Sequence, residues 1–600
     1  MKKLFSFFAL MLALAGSAKA QWTSPGNGTT YDLNELVAVS NGSVVFIGEL
    51  PYSQERPIYR FMADITISPN DHLLITEHNF IEFDDVTLTI QGSMTTENMY
   101  SIPGNFFDKS HENENAHPRI RFEDATGASL LESCVFLTFS GIQIINSDVT
   151  FSNCQINHVD TFHQSSAVNV MNCDPVFTNC LFFDNEGAAI GSPVNGQGSP
   201  QILNCLFYYN VTANANQPQI NLGPGATDTI RIMNCEVLGG GHDMSGGISI
   251  ADLTNTGSTK ILLKDNVVKD NRYGYNQQGY NLSSVIVGNQ FIDNNLETNP
   301  NNGGSGISIY GMTTDNKAKL RNNLISGNLW GITAIYYHDI DLGTEDDWGH
   351  NLIYGNGNGG TEYALYDNAF SDITAIGNYW GSNDPDHAEQ VIFHRPDLGE
   401  TYGLVNYLPI YELHPIPLSL VATQKDNPQL SSDYQGVINL ETNTINLFIP
   451  EDELSTLLIK VRLELPFGTT TDFPFGEVID LSEPFSFTID TPHGESQEWT
   501  INLDSDWGVE EPKAVNPMTT ARIYPNPVSD RLFVEVNASR ASEMSITIYN
   551  ITGQKVMEEN VNITTGINTP SVNTSSLTSG IYFVTVKANG FDQTMKFIVK

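Results

Sequence analysis

The heptapeptides NCLFFDN, Asn179 to Asn185, and NCLFYYN, Asn204 to Asn210, repeat the string Asn-Cys-Leu-Phe within a short span of chain. Aligned on the cysteine, they extend into a series in which Cys or Asn keeps one place: Cys134, Cys154, Cys180, Cys205, Cys235, Asn266, Asn289, Asn323, Asn351 and Asn378. Two places later stand Phe136, Ile156, Phe182, Phe207, Val237, Val268, Phe291, Ile325, Ile353 and Trp380, all apolar. Three places earlier stand Leu131, Phe151, Phe177, Ile202, Ile232, Leu263, Ile286, Leu320, Trp348 and Ala375, again all apolar. A period of roughly 20 to 35 residues built from short, self-similar strands marks a solenoid, whose turns stack and bury a shared core.

The units lack helical periodicity. Stretches such as GGISI (Gly246 to Ile250), GSGISIYG (Gly304 to Gly311) and WGITAIY (Trp330 to Tyr336) alternate β-branched or aromatic residues between Gly and Asn turns, which predicts a parallel β-helix. Asn suits the repeated place because its amide tolerates a left-handed backbone and can bond its equivalent one coil away. Cys can take the same inward row as a small apolar substitute. All six cysteines fall between Cys134 and Cys235. Buried packing is favoured over one or two disulfides, which strand spacing permits if the local geometry cooperates, and over a metal site, for which no CxxC or Cys-His spacing exists. Ten coils at about 4.8 Å give a rod of roughly 50 Å or more.

The first twenty residues, MKKLFSFFALMLALAGSAKA, combine Lys2 and Lys3, a short apolar run and a small-x-small site at Ala18 to Ala20, which reads as a cleaved secretory signal. No later stretch is apolar enough to span a bilayer, so a soluble exported chain from Gln21 is expected. The formal charge of −41, from 69 acidic and 28 basic residues, argues against a nucleic-acid partner. Residues from about 45 to 411 resemble the right-handed parallel β-helix proteins of pectate-lyase-like topology, and the β-helix domain is expected over 21–411. GNYWGSNDPDH (Gly377 to His387) and GLVNYLPIY (Gly403 to Tyr411) look like the terminal coil of secreted members.

Beyond Pro415 the repeat stops. VINLETNTINLFIP (Val437 to Pro450), FSFTI (Phe485 to Ile489) and WTINL (Trp499 to Leu503) alternate apolar and polar residues, which predicts an antiparallel sandwich over 412–504, similar to immunoglobulin-like modules. Residues 505–520 read as a linker. IYPNPVSDRLFVEV (Ile523 to Val536), ITIYNITGQKV (Ile546 to Val556) and LTSGIYFVTVKANGFDQTMKFIVK (Leu577 to Lys600), with Lys596 and Lys600 in the closing strand, resemble the C-terminal sorting domain of type IX secretion in Bacteroidota. That resemblance assigns 521–600 to a small β-sandwich that engages the type IX machinery. It implies passage of the cargo across the outer membrane to the cell surface or medium. The fold class expected for the whole chain is all-β.

β-Helix lyases place an acidic cluster for calcium beside an Arg or Lys base, and hydrolases of that architecture use several Asp with a Gly-His-Gly; neither set stands in this sequence. The nearest catalytic candidates are Lys264 and Arg321, which share a register two places before the repeated row, and His242 with Asp243 in the glycine-rich GGGHDMSGG. Asp341, Glu345, Asp346 and Asp347 in DIDLGTEDDWG form a candidate calcium loop, though without EF-hand spacing. Tyr273, Tyr275 and Tyr280 in NRYGYNQQGY are suited to stacking on sugar rings. No Ser-His-Asp order, phosphate loop or HExxH is present, and no cofactor is required. The expected role is a non-catalytic surface protein that binds glycan or matrix, with a lyase or hydrolase of acidic polysaccharide as the alternative.

Overall fold

The computed structural model describes residues 21–600 apart from 51–55, 77, 98–103, 226–227, 455, 505–517 and, in the C-terminal module, 525, 527, 539–540, 551–554, 565, 579, 589–590 and 600. The expected signal segment, most of the expected linker and Lys600 lie outside the described residues. The chain divides into two compact units, Met1–Glu412 and Leu413–Lys600.

In the first unit, three sheets of 14, 14 and 13 strands share one core. Sheet A runs from Trp22–Thr23 to Ile392–Phe393, sheet B from Thr30–Tyr31 to Val405–Asn406, and sheet C from Val44–Leu50 to Leu352–Tyr354. The chain visits them in turn: Thr229–Met233 in sheet B, Glu236–Leu238 in C, Ser245–Asp252 in A, then Thr259–Lys264 back in B. One strand per sheet per turn, paired in parallel with the next turn, is a parallel β-helix. The antiparallel exception opens sheet C, where Val44–Leu50 pairs with Arg56–Phe61.

Thirteen steps at about 4.8 Å make this helix about 60 Å long, more than ten coils supply. The added coils precede Cys134 and carry its row upstream as Asn105 and Asn79, both buried, with Asn79 Nδ2 donating to Asn105 Oδ1 at 3.0 Å, two members that the series read from the sequence did not include. They also stack through aromatic side chains, with Phe61 4.6 Å from Phe83 and Phe107 4.7 Å from Phe136 between ring centroids. At the N-terminal end, helix α1 (Leu33–Val39) starts from a capping box between Asp32 and Glu35 and buries Leu33 and Leu36 in the common core. At the other end, α2 (Pro385–Val391) starts with proline after Asp384 and adds Ala388 and Val391.

The repeated place resolves into two adjacent jobs. Left-handed backbone falls on the residue before the row: Ser133, Asn153, Asn179, Asn204, Asn234, Asp265, Gly288, Asn322, His350 and Gly377 all have φ between 48° and 71°. The row residue itself points inward and is fully buried in all ten coils. The expectation that one Asn does both is therefore corrected: αL strain of about 1–2 kcal/mol is accepted at the corner, where Asn, Asp or Gly reduces it, and the amide works one place later.

Asn266 Nδ2 donates to Asn289 Oδ1 (2.8 Å), Asn289 to Asn323 (3.1 Å), Asn323 to Asn351 (2.8 Å) and Asn351 to Asn378 (2.8 Å). Cysteine imitates this geometry. The backbone N–H of Cys205 meets Cys235 Sγ at 3.4 Å as that of Cys235 meets Asn266 Oδ1 at 2.9 Å. The Cys235 thiol faces Ile202 O at 3.5 Å as the Asn266 amide faces Ile232 O at 2.8 Å. All six cysteines are free and buried, Cys173 standing apart from the row, and burial raises the Cys154 thiol well above its ordinary range.

A second ladder lies five residues on. Asn185, Asn210, Asn271, Asn294, Asn328 and Asn356 are buried, each preceded by a residue with φ between 51° and 72°. Gln219 bridges Asn210 to Asn271, crossing the coil where Gly240 stands in the ladder position. NCLFFDN is thus a complete corner-to-corner unit: αL Asn179, ladder Cys180, the sheet C strand Leu181–Phe183, αL Asp184 and ladder Asn185.

One apolar row member is misplaced by the sequence. Trp348 is half-exposed, and Leu342 fills the inward site above Leu320, because residues 344–348 bulge out between sheet B and the corner.

The second unit holds two cores. Leu420, Ile445, Leu447, Phe487, Trp499 and Ile501 form one. Its five-stranded sheet is mixed, because Thr444–Phe448 runs parallel to Ser496–Asp504, which corrects the all-antiparallel expectation. The other core, around Val534, Val536, Ile546, Ile548, Val584 and Val586, lies within two four-stranded antiparallel sheets, and its last strand, Phe591–Val599, pairs with Gly580–Ala588.

Candidate functional site

Parallel stacking in exact register turns each outward position into a column. On sheet B one column reads Thr229, Lys260, Ser283, Lys317, Asp339, and the next reads Gln201, Arg231, Leu262, Val285, Lys319, Asp341. Between them lies a shallow groove of ≈ 650 Å³, lined by Arg231, Lys260 and Lys317, with Asn281, Ser283, Asp315 and exposed Val285 among them. Arg231 is held by Gln201 (2.9 Å) and Asp228 (3.2 Å), and Lys317 reaches Asp339 at 3.1 Å. No ion pair is made by Lys260 among the described residues. In a chain with a charge of −41, the groove's own lining thus sets three cations against one acid, Asp315, with Asp228 and Asp339 at its margin.

The catalytic candidates separate. Lys264 and Arg321 do share a column, through Val287. Lys264 is exposed, 3.7 Å from Asp265, whereas the Arg321 guanidinium is only 9% exposed. It bonds both oxygens of Asp341 at 2.8 Å and Asp347 at 2.9 Å. Arg321 therefore anchors the acidic loop and is not an outward cation, which corrects the pairing expected of it. Hydrogen bonding from Arg321, with help from Lys319, holds the Asp347 carboxyl down to about 2. Asp341 and Asp347 are thereby committed to cations, while Glu345 and Asp346 are exposed, and no cluster of three metal-ligating side chains converges among the described residues. Asp243 accepts from Asn214 Nδ2 at 2.7 Å and braces one coil turn on another, with His242 half-buried beside it.

The three tyrosines do not form one platform. Tyr275 is fully buried in the core, its hydroxyl on Gln277 Oε1 at 3.1 Å. Tyr273 and Tyr280 flank opposite ends of the strand Tyr275–Gly279.

One constellation was invisible in linear order. His117, Ser140 and Asp160, from three successive coils, meet with His117 Nδ1 2.8 Å from Asp160 Oδ2 and Ser140 Oγ 2.6 Å from Asp160 Oδ1. Its geometry is not that of a nucleophile. The hydroxyl donates to the carboxylate, Ser140 is fully buried, and both partners face the same ring nitrogen.

At the C-terminus, residues 522–600 match the model of the secretion system C-terminal sorting domain. The chain ends in a type IX sorting domain. This domain implies interaction with the type IX machinery and delivers the chain to the cell surface or extracellular space. No described helix is long and apolar enough to cross a membrane. Residues 230–387, which include the groove's lining apart from Thr229, match a family described as a protein of unknown function, DUF1565. No curated protein matches the chain. Among solved structures, dimeric latent PorU from Porphyromonas gingivalis is 12% identical, with a TM-score of 0.17, over 28% of this chain and 18% of that one. Tailspike protein 4 of bacteriophage CBA120 is 10% identical, with a TM-score of 0.22, over 90% of this chain and 61% of that one. In both cases the chain spans less than two thirds of its neighbour.

Proposed function

We propose that the β-helix is a non-catalytic, surface-displayed module that holds an anionic polysaccharide along sheet B. The cationic groove in an otherwise strongly acidic chain carries this reading. Arg231, Lys260 and Lys317 suit carboxylates or sulfates, Asn281 and Ser283 suit hydroxyls, and Leu262 and Val285 offer apolar contact to a ring face. The column geometry repeats these contacts at strand spacing, as a polymer does. Lyase chemistry finds less support, because Arg321 is engaged by two carboxylates and Lys264 stands without a second free cation in its column.

The test is affinity electrophoresis of the exported chain in gels containing polygalacturonate, hyaluronan or an uncharged polymer. Retardation by the anionic gels is expected to fall at least tenfold in Lys260→Glu/Lys317→Glu. Release of unsaturated uronate or new reducing ends from any anionic polymer would overturn the non-catalytic reading. Unchanged retardation in the double variant would remove the groove.

A further inference from the structure

The outward face of sheet A, on the same coils, has the opposite character. In register from one coil to the next stand Ser249, Asn276, Ser308, Thr333, Tyr366 and Phe393. The neighbouring outward column reads Ala251, Gln278, Tyr310, Ile335 and Asn368. None of these is charged, although charged residues make up 16% of the chain. At that share the eleven positions would hold about two charges on average, and sheet B carries more than that over the same coils.

Toward the C-terminal coils this uncharged strip meets an aromatic wall. Trp330 packs 4.5 Å from Tyr363 and 5.1 Å from Tyr366 between centroids, and Tyr363 packs 4.7 Å from Phe393. Past the far ends of the same two strands, Tyr337 and Phe370, 5.4 Å apart, are 44% and 50% exposed. At the other end Tyr273 lies flat across the strand Ser245–Asp252, where a Cβ on Gly246 would collide with its ring. Burial pushes the Tyr273 hydroxyl up to about 12.

We propose that this strip is a second glycan-binding surface, for an uncharged polysaccharide lying along the helix axis. Amides and hydroxyls without charge match sugar hydroxyls, and exposed aromatic faces match the C–H faces of sugar rings. Five strand spacings give a length of about 24 Å, room for several rings. A charged polymer would find no counter-charge among these columns. An apolar protein partner would cover the amides of Gln278 and Asn368 without pairing them, whereas Asn276 donates to Ser249 Oγ at 3.0 Å within the strip. The inference is independent of the sheet B reading.

The exported chain is run in gels containing xylan, glucomannan, β-glucan or polygalacturonate, alongside the surface variant Tyr337→Ala/Phe370→Ala and the groove variant Lys260→Glu. Retardation by at least one uncharged polymer is expected, reduced at least tenfold in the aromatic variant and unchanged in the groove variant. Matching oligosaccharides should also shift the emission of Trp330, a shift lost in Trp330→Phe while Tyr337 and Phe370 remain. Retardation by polygalacturonate alone, or by uncharged polymer equally in all variants, overturns the proposal. So does self-association of the chain that the aromatic variant abolishes, which would make the strip a contact between copies.

Discussion

Sheets A and B are carried by the same coils, bonded by the same ladders and filled from the same core, yet their outer faces differ in kind. Over the coils from Thr229 to Asp341, sheet B shows Arg231, Lys260, Lys264, Lys317 and Lys319 against Asp339 and Asp341. Sheet A over nearly the same coils shows hydroxyls, amides and aromatic rings without charge. Because each outward side chain stands on a strand whose stability comes from its inward neighbours, a face can change its chemistry without disturbing the fold. The β-helix separates what holds the chain together from what it offers to a ligand.

That separation breaks first at the interior. Asn323→Ala should remove the amide bonds to Asn351 Oδ1 and Ile286 O and strip Asn289 of its acceptor, with no outward change. Each orphaned buried group costs about 1–3 kcal/mol, so a loss of roughly 3 kcal/mol or more is expected in denaturant unfolding. Both binding activities should fall together as the folded population falls; loss of one alone would show that the faces do not rest on a common frame.

A smaller effect sharpens the contrast. Exposed ion pairs contribute about 0.2–1 kcal/mol each and are screened by salt. Raising ionic strength from about 0.01 M to about 0.15 M should weaken polygalacturonate retention about fivefold and leave uncharged-polymer retention unchanged. Equal salt sensitivity on both would contradict the division of labour.

The smallest effect concerns the acidic loop on sheet B. The Asp347 carboxyl lies at about 2 in the folded chain against an ordinary 3.8. A depressed value means its stabilising contribution is complete above pH 3.8 and disappears as pH falls toward 2. Protection of the Thr344 amide, bonded to Asp347 O, measured against its intrinsic exchange rate at each pH, should fall across that window in the wild type. In Asp347→Asn the exchange should be fast already at neutral pH; a pH response that survives the substitution would assign the loop's anchoring elsewhere.

Much of this was legible in the sequence, and the limits have physical causes. The Cys/Asn row and its apolar neighbours announced the coils because an inward position that stacks on itself must repeat in type. The second ladder carried the same signal, five residues on, but Gly240 interrupts it and Gln219 completes it from another strand, so no single spacing reveals it. Trp348 imitated the apolar pattern from a bulge, since spacing cannot tell a side chain pointing in from one looped out. Arg321 looked like an outward cation until the fold brought Asp341 and Asp347 onto it. The uncharged strip of sheet A is a property of columns, and columns exist only once register is known.

The amides of Asn266, Asn289, Asn323 and Asn351 each donate to the next side chain toward the C-terminal coils, a head-to-tail series that ends on Asn378 Oδ1, and each also donates back to a carbonyl of the preceding coil. From Cys134 to Cys235 thiols stand in their place, at the longer distances that sulfur imposes. The rod therefore has a grain. Its Asn-row segment is joined coil to coil by two amide ladders, its thiol segment by sulfur contacts and the second ladder alone, and the aromatic wall stands wholly on the part with two.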